Sequence, residues 1–188
     1  MGRTSALLAA AAFGLGALVA VVALRPGTSH APANAARQAA WSEEAWPFPT
    51  DPWGKGKAFV CKEADCGAEV HVYFRAKIGF CNCATGVSDD EELDRISDFD
   101  LFGNKLSPLA PGREISVAWM KGRSRPFSIG ATHPARHSAL SVGFNDRCDA
   151  IIATALVQGD KPAAVEPAVL EFLNSQTVVH WAEVTLGL

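Results

Sequence analysis

Ser5 to Leu24 is twenty residues long without a charge, SALLAAAAFGLGALVAVVAL. A helix of about 20 apolar residues spans the roughly 30 Å hydrocarbon core of a bilayer. The run therefore predicts one membrane-spanning segment over residues 1–24, and it places the rest of the chain outside the cytosol. Two fates compete for it. A secretory signal has a basic start, a shorter apolar core and a small-x-small cleavage site. Here the basic start is Arg3 alone, and the apolar run ends at Arg25-Pro26-Gly27, which stops a helix. Small-x-small sites follow at Ser29-His30-Ala31 and Ala33-Asn34-Ala35. The expectation is an uncleaved anchor in the cell membrane with an extracytoplasmic domain. The alternative is a periplasmic or secreted form released at one of those sites.

Residues 25–45 are rich in Ala, Pro and small polar groups, and read as a tether. Residues 46–188 are then one domain, long enough to bury a single core. Outside the first 36 residues there are 15 basic against 20 acidic side chains, a formal charge of −5. That balance excludes the basic stripe of a nucleic-acid binder. The one basic cluster, Lys121-Gly-Arg123-Ser-Arg125, lies between two apolar runs and reads as a hairpin tip.

Between Glu69 and Arg75, Val70, Val72 and Phe74 alternate with Glu69, His71, Tyr73 and Arg75. Alternation of period two marks a strand with one buried face. Ala58–Cys61, Ile115–Met120, Phe127–Gly130, Ala139–Phe144 and Thr177–Leu186 are further strand candidates. Three helices fit between them. The first opens at Ser88 with Glu91 three residues on, the pattern of a reciprocal cap in which each side chain accepts from the other residue's backbone N–H. The second begins near Asp146, with Cys148, Ile151, Ile152, Ala155 and Leu156 at helical spacing. The third begins near Pro167, a good first-turn residue. The fold class expected is α+β, a mostly antiparallel sheet with three short helices.

The five cysteines carry the chemistry. Cys148 falls on the apolar stripe of the second expected helix and reads as a small core residue. Cys61, Cys66, Cys81 and Cys83 lie within 23 residues. Outside the cytosol such a set is a disulfide framework. Two thiols one residue apart on a strand point the same way, so a Cys81–Cys83 bond is geometrically awkward. Cross-pairing of 61 and 66 with 81 and 83 suits the spacing. The alternatives are a zinc or copper site on these four thiolates, or a redox-active Cys81/Cys83 pair. Cys-x-Cys lies outside the usual zinc knuckle spacing, and no Cys-x-x-Cys is present.

Other constellations are weaker. Asp89 to Asp100 is acidic but lacks the loop pattern of a calcium site. His133 and His137 are four apart, yet Pro134 disfavours helical backbone at His133. Gly54-Lys-Gly-Lys57 lacks phosphate-loop spacing, and no nucleophile elbow occurs. Trp46-Pro-Phe-Pro-Thr-Asp-Pro-Trp53 could dock in a partner's aromatic groove. The simpler reading lays its rings on the domain's own sheet. No catalytic residue, cofactor or metal is assigned. The functional expectation is a non-catalytic binding or structural protein of the envelope, with thiol-based metal binding or redox chemistry as the alternative.

Overall fold

A computed structural model describes residues 39–102, 106–130 and 137–188. All belong to the compact unit Ala36–Leu188. The Ser5–Leu24 run and His133 lie outside the described residues. No helix among those described is long and apolar enough to cross a membrane.

The fold is α+β: one antiparallel eight-stranded sheet with four helices. The strands are β1 (Trp41–Glu44), β2 (Lys57–Cys61), β3 (Val70–Lys77), β4 (Leu106–Pro108), β5 (Arg113–Val117), β6 (Met120–Ile129), β7 (His137–Asp146) and β8 (Asp149–Gln158). The order across the sheet is β1-β2-β3-β8-β7-β6, and the outer edge of β6 is shared by β4 and β5. The helices are a single turn α1 (Glu63–Cys66), α2 (Asp90–Ile96), α3 (Glu166–Leu173) and α4 (Gln176–Leu186).

One face of the sheet packs on α3 and α4. Val72 and Phe74 of β3, Ala153 and Ala155 of β8, and Leu140 and Phe144 of β7 form a core with Phe172, Leu173, Val178 and Ala182. The opposite face meets α2 through Ile152, Leu93 and Ile96, with Val87 and Cys81 beside them. On that second face Arg75 and Lys77 are buried, because Asp98 receives both. Arg75 donates through Nε and Nη2 to the two Asp98 oxygens at 2.8 and 2.6 Å. Lys77 Nζ lies 2.8 Å from Asp98 and 2.7 Å from the Ile96 carbonyl. Arg75 Nη1 also donates to Asp51 at 2.7 Å, and this bond holds the Asp51 carboxyl below its usual range.

Several expectations need correction. The segment after Asp146 is strand β8, not a helix. It is buried on both faces, so its apolar residues do not alternate, and such a run cannot be told from a helix by period. Thr177–Leu186 is helix α4, not a strand. Its β-branched residues favour strands, but Val178 and Ala182, four apart, both reach the core, and tertiary burial outweighs propensity. His180 therefore points to solvent beside Glu183. Lys121–Arg125 is not a hairpin tip but the first half of β6. The turn lies at Ala118–Trp119, where Ala118 has φ 51°. Trp41–Glu44, read as tether, is the edge strand β1.

The helix cap also differs by one residue. Asp89, not Ser88, caps α2, accepting from the Glu92 N–H at 2.8 Å. Glu91 makes no reciprocal cap. Glu92 instead accepts from the Asn82 N–H at 2.8 Å and from Arg95. An acid at the cap serves both hydrogen bonding and the helix dipole, and Asp ranks with Ser there.

Candidate functional site: a thiol–disulfide cluster beside a polar cleft

The structure pairs Cys61 with Cys66 and Cys83 with Cys148, and Cys81 is the free thiol. This differs from the expected cross-pairing of 61 and 66 with 81 and 83. After β2 the chain turns through α1, which returns Cys66 to a Cα separation of 6.0 Å from Cys61. Cys148 is not core filler either. It sits in the two-residue turn between β7 and β8, where Asp146 faces Asp149 and Arg147 has φ 52°. A residue at a hairpin tip is open to a partner from another loop, and Cys83, 65 positions earlier, provides it. An 81–83 bond is not formed.

The loop carrying Cys81 and Cys83 wraps this hairpin tip and is tied down along its length. The Gly79 N–H donates to Asp149 at 2.6 Å. The Cys81 N–H donates to the Cys148 carbonyl at 3.2 Å, and Cys81 Sγ donates to the Arg147 carbonyl at 3.3 Å. Asn82 accepts on its side chain from the Ala84 N–H at 2.9 Å, and its carbonyl accepts from the Gly86 N–H at 2.7 Å. Asn145 of β7 accepts from the Val87 N–H at 2.9 Å and donates to the Arg147 carbonyl at 2.9 Å. Gly86, at φ 64°, lies so close to Asn145 that a side chain there would collide with it. Cys81 is buried while Cys83 is exposed. Burial, followed by the Glu92 carboxylate, pushes the Cys81 thiol above its usual range.

Around Gly86 the same loop forms one wall of a cleft of about 470 Å³. Thr85, Val87 and Ser88 make that wall, Glu114 and Ser116 of β5 face it, and Lys121, Gly122 and Asn145 lie between. The volume falls in the range of small-ligand sites, roughly 300–1,000 Å³. Hydroxyls, an ammonium, a carboxylate and an amide line it, so it can hydrogen-bond a polar guest. Beside it, Arg123 of β6 bonds Asp90, and Arg125 holds Asp94 at 2.7 Å.

These pairs account for most of the acidic run that invited a calcium reading. Asp89 caps, Asp90 and Asp94 bind arginines, Glu92 binds Arg95, and Asp98 binds Arg75 and Lys77. Among the described residues no group of three or more His, Cys, Asp or Glu is placed to hold a metal ion. His137 opens β7 and is exposed.

The aromatic segment Trp46–Trp53 turns its rings inward. Trp46 and Phe48 meet Tyr73 edge-on with ring centres 6.2 and 5.0 Å away, and Trp53 lies 4.6 Å from Phe80. Burial and Glu44 raise the Tyr73 hydroxyl to about 12, so it stays protonated. Asn82, Asn145 and Cys148 are the site residues that sequence reasoning missed. Asn82, a turn-former between two cysteines, offered a local signal; Asn145 and Cys148 offered none. No family model and no curated protein matches this chain.

Proposed function

We propose that the chain is a membrane-tethered, extracytoplasmic protein of the cell envelope with a non-catalytic binding role, and that it binds at the polar cleft. The observation that carries this reading is the Cys83–Cys148 bond. It ties the loop that walls the cleft to the β7–β8 hairpin, so the cleft is held open before any guest arrives. Preorganisation of this kind lowers the ordering cost of binding. Two disulfides fit an oxidising compartment, and the Ser5–Leu24 run supplies the membrane address. A four-thiolate zinc or copper site is less favoured, because Cys61, Cys66 and Cys83 are each bonded to sulfur. A partner docking on Trp46–Trp53 would have to use its outward prolines, since the rings lie on the sheet.

A membrane-impermeant acylating reagent tests this directly. It is applied to opened envelopes and to the purified full chain, and modification is compared at Lys121 in the cleft and Lys161 outside it. The expected result is that Lys121 reacts several-fold more slowly than Lys161 in envelopes, and that the two rates converge on purification. Equal ratios in both samples would remove the cleft from the account. A chain left unmodified in sealed right-side-out vesicles, and modified once they are opened, would remove the extracytoplasmic placement.

A further inference from the structure

The free thiol and the exposed disulfide are not independent features. Cys81 and Cys83 flank one residue, and both are held against the same two-residue turn. Cys83 bonds Cys148 through sulfur; Cys81 bonds it through the backbone, N–H to carbonyl at 3.2 Å. That single backbone bond sets Cys81 directly against Cys148. The Cys81 thiol is aimed at the adjoining carbonyl, that of Arg147, at 3.3 Å. That one weak bond holds the thiol at the residue next to Cys148.

We propose that Cys81 is a resident exchange partner for the Cys83–Cys148 disulfide, so that Cys148 can be held by either of two cysteines. In the exchange, Cys81 loses its proton and its sulfur attacks Cys148 Sγ. The Cys81–Cys148 bond forms as the Cys148–Cys83 bond breaks, and Cys83 departs as a thiolate that takes up a proton. One thiol and one disulfide stand on each side, so no external oxidant or reductant is consumed. Such exchange proceeds by thiolate attack along the sulfur–sulfur axis, and exposed disulfides are the labile ones.

The consequence is a change in where the free thiol lies. In the resting pairing it is on Cys81 and buried; after exchange it is on Cys83, which is exposed. The exchanged form also frees the loop beyond Asn82, which walls the cleft. That last effect on binding rests on the cleft reading given above, whereas the exchange does not.

Alkylation mapping distinguishes the two. The full-length wild type is held at mildly alkaline pH without reductant in iodoacetamide, then digested without reduction and mapped. The expected result is more label on Cys83 than on Cys81, accompanied by a Cys81–Cys148 crosslink, and loss of the Cys83 label in Cys81→Ser. In Cys83→Ser, a Cys81–Cys148 bond should form during oxidative folding. Label confined to Cys81 in the wild type, or no label over hours, would overturn the proposal. So would Cys83→Ser protein that is folded with both Cys81 and Cys148 free. None of these readouts involves the cleft, so failure of the binding reading leaves them intact.

Discussion

Asp98 has the most to lose of any single side chain. It is 7% exposed and receives two arginine bonds and one ammonium. Removing one partner from a buried ion cluster leaves uncompensated charge in a low dielectric and typically costs about 3–5 kcal/mol. Asp98→Ala should therefore reduce the unfolding free energy from urea titration by an amount of that order, because Lys77 is left with the Ile96 carbonyl and Arg75 with Asp51. A change under about 1 kcal/mol would mean that water reaches both cations. A smaller test concerns the cap of α2. Asp89→Ala should cost about 1 kcal/mol, within the range for lost caps, while Ser88→Ala should cost only a few tenths. Equal losses would move the cap back to Ser88. At this scale the sequence was legible to within one position. Both Ser88/Glu91 and Asp89/Glu92 have the three-residue spacing, and Glu92's bond to the Asn82 N–H, which helps fix the register, comes from a loop that no local pattern reveals.

Among elements, β3 was readable because one of its faces meets helices and the other carries polar side chains, so period two survives in the sequence. Strand β8 was not, since α2 covers the face that would otherwise have turned polar. Helix α4 was hidden by Thr177, Val178 and Val179, whose shape suits a pleated surface. Misplacing β8 also misplaced Cys148, because a helix would have buried it and a hairpin turn offers it to Cys83. The two crosslinks should differ in worth. Closing a loop of 65 residues should stabilise by about 4 kcal/mol in the chain-entropy model, and closing one of 5 by about 2. Cys148→Ser should thus destabilise more than Cys66→Ser in urea unfolding. Cys83→Ser should fall well short of Cys148→Ser, because Cys81 can take its place.

For the whole molecule, the sheet buries both faces, its interior charges are paired, and its surface is mildly acidic. What distinguishes this molecule is its reliance on covalent ties at the two places where loops meet the sheet, the end of β2 and the β7–β8 turn. Such ties persist only where thiols are not kept reduced. We propose that the chain works in an oxidising compartment at the membrane, with its cleft wall pinned to the sheet. The most direct measurement is a thiol and disulfide map of the protein taken from native membranes under acid quench. The full chain should pellet with membranes after alkaline wash and carry one thiol, with Cys61 bonded to Cys66 and Cys148 bonded to Cys83 or Cys81. Five free thiols, or a native fold with Cys148 unbonded, would contradict it.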